Sequence, residues 1–221
     1  MPNLFKAIKE TAKSVVFKYT SLAAPSYRYN IEPIQLTCLI NEIEKFKAVK
    51  GSIVEIGVAR GLTTRFLAEH IYKQGLQNTT TLYAIDTFDS FTKADLDYEV
   101  RDRGKSLAEL EAFGYNDYDV WAKNFAQFSF VKPLKADCAA VDYQALGPIK
   151  LAFLDVDLYL PTKNTLPKLF DALVSGGAIV CDDVLNNNVY DGAFQAYTEF
   201  CQEYSLPTEV IGNKCGIIRK P

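Results

Sequence analysis

The fold is decided by the stretch Gly51-Ser-Ile-Val-Glu-Ile-Gly-Val-Ala-Arg-Gly-Leu-Thr-Thr64. The apolar run from Ile53 to Ile56 predicts a buried strand, and a glycine turn then leads into a helix that begins near Leu62. Glycine permits a positive φ and lets a ligand approach the backbone where a Cβ would collide. The free N–H groups at the start of the helix would face that ligand. The stretch therefore predicts a nucleotide cradle, although an ordinary tight strand–helix turn would carry the same two glycines.

A carboxylate beside the turn indicates which ligand it would hold. The pattern is Glu-x-Gly-x-x-x-Gly, formed by Glu55, Gly57 and Gly61, whereas the dinucleotide fingerprint G-x-G-x-x-G has a close glycine pair that faces a pyrophosphate. A carboxylate would repel a pyrophosphate, but it would attract a ligand with a positive charge or an amine. These three residues are therefore predicted to bind a cofactor. The pattern resembles the first motif of class I S-adenosylmethionine-dependent methyltransferases, whose ligand carries a sulfonium and an ammonium group.

Size and composition narrow the class of protein. The chain has 221 residues, of which 48% are hydrophobic, and its formal net charge is −3. This length suits one α/β domain with some additions, and the charge offers no broad basic surface for nucleic acid. The five cysteines form no C-x-x-C pair, which indicates reduced thiols in a cytoplasmic protein rather than a zinc site or a disulfide framework. The sequence contains no apolar run of about 20 residues, so no membrane span is expected.

The chain is predicted to divide into an N-terminal helical extension, residues 1–48, and a ligand-binding domain, residues 49–221. Leu4, Ile8, Val15 and Val16 suggest an amphipathic first helix, and its regularly spaced lysines interrupt any signal-peptide core. Such a helix could lie on a membrane surface. Packing on the domain or on a second subunit is the favoured interpretation, and we therefore expect a homodimer that forms through the N-terminal helices.

Strands and helices alternate after this extension. The alternation predicts a Rossmann-like, doubly wound α/β fold with a mostly parallel sheet, closed by a C-terminal antiparallel hairpin. A helix is predicted to begin at Pro161-Thr162 and to end at Gly176-Gly177, but Pro167 implies either that it starts at Thr165 or that it is kinked. The charged and aromatic segment 92–116 has only a weak helical pattern, near Ser106 to Phe113, which fits either a lid over the site or a solvated loop.

Further cofactor contacts are predicted at the ends of other strands. Asp86 ends the second strand, where an acid is well placed to bind ribose hydroxyls, although it could instead cap a helix. Thr87 follows it directly. Asp137 follows the third strand, where a cofactor base could be contacted. Asp155, which ends the fourth strand, is also counted among the cofactor-binding candidates.

Acidic residues accumulate at one edge of the predicted sheet. Besides Glu55 and Asp86, the strand ends carry Asp155, Asp182 and Asp183, with Asp157 close behind. So many carboxylates would repel one another unless a cation or hydrogen-bond donors offset their charge. Carboxylate oxygens suit Mg²⁺ or a similar divalent cation, and Asp155, Asp182 and Asp183 are the predicted metal ligands. The alternative is that Asp182 and Asp183 cap the following segment and that Asp157 is solvated.

Three blocks of sequence carry a more specific resemblance. They are Asp155-Val-Asp157-Leu-Tyr159, Pro161-Thr162 and Gly176-Gly177-Ala-Ile-Val-Cys-Asp182-Asp183, supported by Glu55 to Gly61 and by Ile85-Asp-Thr-Phe88. Over about residues 50 to 200 the chain resembles the macrocin O-methyltransferase family, which includes enzymes that methylate sugar hydroxyls in macrolide and aminocoumarin pathways. The resemblance implies a class I methyltransferase fold and a divalent metal, usually Mg²⁺. In the family the acid after the fourth strand and the acid pair after the fifth hold the metal, here Asp155, Asp182 and Asp183.

The predicted reaction is methyl transfer from S-adenosylmethionine to a hydroxyl of a small molecule such as a sugar or natural product. Asp155 is the predicted catalytic base. An NAD-dependent oxidoreductase would share Asp86, but the glycine turn and the lack of a substrate domain count against it. A non-catalytic Rossmann-like binding domain remains a third interpretation, and it would not need the acidic residues.

Overall fold

The computed structural model describes residues 2–27 and 29–221, and its centre is one seven-stranded sheet. The strands are β1 (Gly51–Ile56), β2 (Thr80–Asp86), β3 (Val131–Lys135), β4 (Ile149–Leu154), β5 (Leu173–Cys181), β6 (Glu209–Ile211) and β7 (Cys215–Arg219). Their order across the sheet is β3-β2-β1-β4-β5-β7-β6. The first five strands pair in parallel, and β7 pairs antiparallel with both β5 and β6. The predicted fold class is confirmed, including the C-terminal antiparallel hairpin.

The helices lie before and between these strands. They are α1 (Pro2–Tyr19), α2 (Pro33–Lys45), α3 (Leu62–Lys73), α4 (Lys93–Arg101), α5 (Leu107–Leu110), α6 (Tyr118–Phe125), α7 (Tyr159–Ala172) and α8 (Asp191–Glu203). Successive side chains of β1 point to opposite faces of the sheet and join two hydrophobic cores. Ile53 belongs to the core that includes residues of α2, α3 and α6, whereas Val54 and Ile56 belong to the core that includes residues of α7 and α8. The sheet is therefore covered on both faces, and its carboxyl edge is the place left for a ligand.

Two compact units divide the chain, the first through Asn30 and the second Ile31–Pro221. The second unit includes α2, whose Leu39 and Ile43 are buried in the core, whereas the sequence placed residues 1–48 together in an extension. Within the first unit, α1 exposes Leu4, Phe5 and Ile8 to solvent. Among the described residues, no helix combines the length and the apolar character needed to cross a membrane.

The prediction that the helix after Asp157 ends at Gly176-Gly177 is wrong. α7 ends at Ala172, and both glycines lie inside β5 where the pairing with β4 shifts its register. A Cβ at position 177 would come within 2.9 Å of the Val174 carbonyl oxygen, so this glycine serves the irregular strand and not a helix end. Pro167 lies inside α7, which rules out a helix that starts at Thr165.

The charged segment after Thr92 contains a helix that the sequence pattern did not reveal. Residues Lys93–Arg101 form α4, and the Thr92 side chain accepts a hydrogen bond from the Asp95 amide at its N-terminus. Only Glu99 of this helix is buried. Because ion pairs and a cap hold α4 in place of an apolar face, its sequence lacks the hydrophobic period by which helices are recognised.

Candidate active site

The turn between β1 and α3 requires glycine at both predicted positions, for reasons of packing. Gly57 has a φ of +80°, and a Cβ there would lie 1.7 Å from the Asp155 carbonyl oxygen. Gly61 has a φ of +83°, and its Cβ would lie 2.6 Å from the ring of Phe125. The first glycine thus lets the turn touch the end of β4, and the second lets α6 approach the start of α3.

The Asp86 carboxylate holds this turn in shape. Its Oδ2 accepts hydrogen bonds from the amides of Val58 at 2.8 Å and Ala59 at 3.2 Å, and its Oδ1 accepts one from Phe88 at 2.7 Å. Ala59 has a φ of +42°, and its carbonyl oxygen accepts a hydrogen bond of 2.9 Å from Asn116 Nδ2. Asp86 therefore orders the backbone of the cradle, which is a role that the sequence did not predict.

Two other predicted cofactor residues also make local contacts. The Thr87 hydroxyl donates a hydrogen bond of 2.7 Å to the Ser90 carbonyl oxygen. Asp137 is exposed, and its side chain accepts a hydrogen bond from the Ala139 amide at 2.8 Å. Both residues follow the ends of β2 and β3 at the carboxyl edge, as predicted, and both shape the turns in which they lie.

Glu55 is the most unusual group of the cradle. Its side chain is buried, and within residues 2–27 and 29–221 no group forms a hydrogen bond with its Oε2 atom. Burial raises the pKa of Glu55 to about 8, and the negative charge of Asp86 adds to that rise. Without a ligand, this carboxyl is therefore protonated at neutral pH. A positively charged ligand would restore its ionised form, which fits the amine-bearing ligand expected from the sequence.

Aromatic rings of α6 pack against the β1–α3 turn at Gly61. Trp121 stacks on Phe125 with ring centroids 4.0 Å apart, and Phe88 meets the Trp121 ring edge-on at 5.5 Å. These rings also fill the space that a side chain at Gly61 would need. The sequence gave no sign that α6 reaches the turn, because the approach depends on the fold and not on spacing.

Three acids meet at the carboxyl ends of β4 and β5. Carboxylate oxygens of Asp155, Asp157 and Asp183 all lie within 4.8 Å of one another, a set that can hold a metal ion. Asp157 and Asp183 have φ values of +62° and +54°. Left-handed backbone at non-glycine residues is costly and concentrates at functional sites, although aspartate tolerates it better than most residues.

The charge state of this cluster follows from its surroundings. Burial raises the pKa of Asp155 well above its usual range, and the charges of Asp182, Asp157 and Asp183 raise it further. Burial also raises the pKa of Asp157, and a hydrogen bond with Asp183 adds to the effect. In the absence of a cation, Asp155 and Asp157 therefore hold their protons more strongly than exposed aspartates do. A bound divalent cation would displace these protons, so the donor set fits such an ion.

Asp182 differs from the other predicted metal ligands. Its Oδ1 accepts a hydrogen bond of 2.7 Å from Gln35 Nε2, and its Oδ2 pairs with Lys214 Nζ at 2.9 Å. Both oxygens therefore face donors of the protein. The structure brings Asp155 and Asp183 together as predicted, but it places Asp157 beside them where the sequence predicted Asp182.

An aromatic wall, formed by Phe91, Phe113 and Tyr190, stands beside the cluster. Phe91 meets Phe113 edge-on at 5.6 Å and lies 6.3 Å from Tyr190. Burial raises the pKa of Tyr190, and the charges of Asp157 and Asp183 add to the rise, which places its phenol near the acids.

Solved structures share this architecture. The O-methyltransferase NovP is 18% identical, with 84% of this chain and 79% of that chain covered at a TM-score of 0.65. The calicheamicin methyltransferase CalS11 is 17% identical, with 83% and 77% covered at a TM-score of 0.66. A putative caffeoyl-CoA O-methyltransferase from Staphylococcus aureus is 12% identical, with 100% and 98% covered at a TM-score of 0.55. At these identities the likeness demonstrates the fold.

Sequence comparison identifies the family. No curated protein matches the chain significantly. The family model described as Macrocin-O-methyltransferase (TylF) matches residues 34–220, which include every predicted site residue. With the glycine turn, the acid cluster and the fold in agreement, the chain belongs to the macrocin O-methyltransferase family and is an enzyme of the O-methyltransferase class.

Proposed function

We propose that this enzyme transfers a methyl group from S-adenosylmethionine to a hydroxyl of a small molecule, with the help of Mg²⁺ or another divalent cation. One observation carries the proposal. The cofactor turn abuts the acid cluster, because only the absent side chain of Gly57 leaves room for the backbone of Asp155. This contact supports the proposal, since the turn that we assign to the cofactor adjoins the carboxylate oxygens that we assign to the cation.

S-adenosylmethionine would supply an activated methyl group at its sulfonium. We assign its binding to Glu55, Gly57, Gly61, Asp86, Thr87, Asp137 and Asp155. The unpaired Oε2 of Glu55 supports this assignment, since a buried carboxyl oxygen without a hydrogen-bond partner suits an ammonium or sulfonium group. The Asp86 carboxylate can accept hydrogen bonds from ribose hydroxyls through the lone pairs that are not used by the amides of the turn.

A divalent cation at the acid cluster would lower the pKa of the acceptor hydroxyl. Asp155, Asp157 and Asp183 are the side chains placed to hold it, and Asp182 is the fourth candidate. We assign the role of catalytic base to Asp155. Its position supports this role, since the Asp155 backbone abuts the Gly57 turn, beside the proposed methyl donor.

The acceptor we propose is a sugar or another hydroxylated natural product. The names of the structural neighbours support this class, since one of them is described as a TDP-rhamnose 3'-O-methyltransferase. The aromatic wall supports it too, because aromatic side chains pack well against the apolar faces of ring-shaped small molecules. A dinucleotide oxidoreductase and a non-catalytic domain, which the sequence left open, do not agree with the family.

Further proposals concern the surroundings of the site. We propose that residues 1–48 are an extension to the methyltransferase domain, 49–221, whose α2 packs into the core of that domain, and that a lid lies within 92–116. We propose a homodimer that forms through α1, with no nucleic-acid partner. A cytoplasmic location is supported by the five cysteines, all of which are buried free thiols.

The test is methyl transfer from labelled S-adenosylmethionine to a panel of sugars and other hydroxylated small molecules, with EDTA or with added Mg²⁺. We expect transfer to at least one acceptor, loss of transfer in EDTA, and recovery with Mg²⁺. S-adenosylhomocysteine should still bind in EDTA, because its proposed contacts lie mainly in the β1–α3 turn. Full activity in EDTA would contradict the metal requirement, and failure to bind S-adenosylhomocysteine would contradict the function itself.

A further inference from the structure

A lysine from the far end of the chain reaches the acid cluster. Lys214 is the last residue of the turn between β6 and β7, and its Nζ lies 2.9 Å from Asp182 Oδ2 and 2.8 Å from Asp183 Oδ1. Its side chain is only 20% exposed. The ammonium group therefore occupies the space between the two neighbouring acids, on the side of Asp183 that faces Asp182.

Backbone contacts fix this lysine in place. The Val184 amide donates a hydrogen bond of 2.9 Å to the Lys214 carbonyl oxygen. The preceding residue, Asn213, donates from its amide to Glu32 Oε2 at 3.0 Å and from its side chain to Glu32 Oε1 at 2.6 Å. Because the hairpin turn is held at both points, the ammonium group is positioned by the fold rather than by a freely moving side chain.

The same frame fixes the other oxygen of Asp182. Gln35 is fully buried, and its Oε1 accepts a hydrogen bond of 2.8 Å from the Glu32 amide. This contact turns its Nε2 toward Asp182 Oδ1, at 2.7 Å. Asp182 is thus engaged on both oxygens, and Asp183 on one, before any cation arrives.

We propose that Lys214 is a built-in ammonium ion that keeps Asp182 out of the metal's ligand set and weakens the affinity of Asp155, Asp157 and Asp183 for a divalent cation. This inference rests on the proposed function, since it concerns the same site. Two effects act in one direction. The lysine withholds a carboxylate ligand from the cation, and its positive charge lies within a few ångströms of where the cation would bind.

The arrangement has a clear benefit for the metal-free enzyme. Four crowded carboxyls would repel one another if all were ionised, and one fixed positive charge offsets part of that repulsion. Lys214 is therefore a positioning residue, because it acts on the cation through Asp182 and Asp183. Because Lys214 lowers the affinity of the site, the bound metal ion is able to exchange.

The experiment measures binding of Mn²⁺ by calorimetry, and by the electron paramagnetic resonance signal of free Mn²⁺, to the full chain saturated with S-adenosylhomocysteine. Lys214→Met should bind Mn²⁺ at least about tenfold more tightly than the wild type. Lys214→Arg keeps the charge and should stay near the wild-type affinity. Lys132→Met removes the same charge from an exposed position on β3, and it should leave the affinity unchanged.

A double variant tests the mechanism. If Asp182 becomes a ligand once the lysine is gone, Asp182→Asn in the Lys214→Met background should remove most of the gain. Gln35→Met frees the other oxygen of Asp182 and should tighten binding by a smaller factor. It serves as a second route to the same result if Lys214→Met folds poorly, which circular dichroism and the melting temperature would reveal.

The outcomes separate the inference from the function on which it rests. Unchanged or weaker Mn²⁺ binding in folded Lys214→Met would overturn the inference. If no variant binds Mn²⁺ while S-adenosylhomocysteine binds and methyl transfer proceeds, the inference is wrong and the methyltransferase function stands. If the wild type fails to bind S-adenosylhomocysteine, the proposed function is wrong as well.

Discussion

The backbone amide of Tyr159 donates a hydrogen bond of 2.7 Å to Oε1 of Glu99, whose side chain is almost completely buried. Tyr159 is the first residue of α7, and the positive end of a helix dipole favours a carboxylate there. The other oxygen of Glu99 accepts a hydrogen bond of 2.8 Å from Arg103, which in turn pairs with Asp191 at the start of α8. The segment around α4 is therefore fastened to the first turns of two core helices.

We first predict that Arg103→Leu destabilises the protein strongly. The substitution leaves Glu99 buried with one oxygen unpaired, and breaking a buried pair in this way costs about 3–5 kcal/mol. Urea unfolding followed by circular dichroism measures the change in the free energy of unfolding. Lys93→Met is the matched control, because the Lys93–Asp97 pair lies on the exposed side of the same helix and its loss should have no measurable effect. Equal losses in the two variants would contradict a special role for the buried network.

The second prediction limits the mobile part of the proposed lid to residues 106–116. Leu110 is the only residue of this part that is buried, and its hydrogen bonds to other segments include those from Ser90 Oγ to the Ala112 carbonyl oxygen, 2.6 Å, and from Asn116 to Ala59, 2.9 Å. Chymotrypsin should therefore cut after Phe113 or Tyr115 in the free enzyme, whereas trypsin should spare Arg103. S-adenosylhomocysteine should protect the chymotryptic sites, since Asn116 contacts the cofactor turn. Mass spectrometry of the fragments distinguishes this result from equal cleavage with and without ligand, which would indicate a plain surface loop.

The third prediction concerns pH and Glu55. Its pKa in the folded enzyme is raised to about 8 from the ordinary value of 4.5, so the folded state binds more protons than the unfolded state between those values. The stability that this proton provides is fully present below pH 4.5 and is lost as the pH rises toward 8. Glu55→Gln should reduce the fall of the melting temperature over this range. An identical pH profile in the variant would show that Glu55 titrates normally. The pKa values of Asp155, Asp157 and Asp182 are also raised, so part of the fall in melting temperature should persist in the variant.

The fourth prediction compares two acids at the carboxyl edge. Asp86→Ala should weaken binding of S-adenosylhomocysteine by about 1.5–3 kcal/mol, because it removes charge-assisted hydrogen bonds to the turn and to ribose. Asp137→Ala should weaken it less, since Asp137 is exposed and its observed contact is a local cap. Isothermal titration calorimetry of both variants gives the comparison. Unchanged affinity in Asp86→Ala would refute the assignment of Asp86.

The fifth prediction tests the proposed homodimer. Ile8 and Val15 lie on the apolar side of α1 and are exposed, so Ile8→Glu combined with Val15→Glu should convert a dimer to a monomer in analytical ultracentrifugation. Lys6→Glu combined with Lys9→Glu changes the charge of α1 even more but leaves its apolar side intact. A dimer that survives the first pair of substitutions, or a wild type that is monomeric, would contradict association through α1.

The sequence predicted the sheet edge well because periodicity and turn chemistry are local signals. Ile53 to Ile56 are apolar apart from Glu55, as expected of a strand covered on both faces, and glycine marks the turn that follows. Parallel strands bring their carboxyl ends to one edge, so the order of strands and acids along the chain is enough to place the acids after β4 and β5 together.

Relationships between distant residues could not be predicted in the same way. Asp157 lies with Asp155 and Asp183, whereas Asp182 is bound by Lys214 and Gln35, which reach it from a C-terminal hairpin and from α2. No spacing in the sequence predicts these contacts with Asp182. The hydrogen bond between Glu99 and the start of α7, 60 residues away, also leaves no pattern in the sequence. For that reason the segment that forms α4 was predicted as a lid or a loop.

Trp121 is the only tryptophan of the chain, and its ring stacks on Phe125 directly under the cofactor turn. Its indole Nε1 lies close to where a side chain at Gly61 would stand. The enzyme therefore carries an intrinsic fluorescent probe at the place where a ligand would arrive. Emission from a single indole reports changes in its own surroundings without a label, so cofactor titrations and stopped-flow kinetics can be followed optically on the unmodified protein.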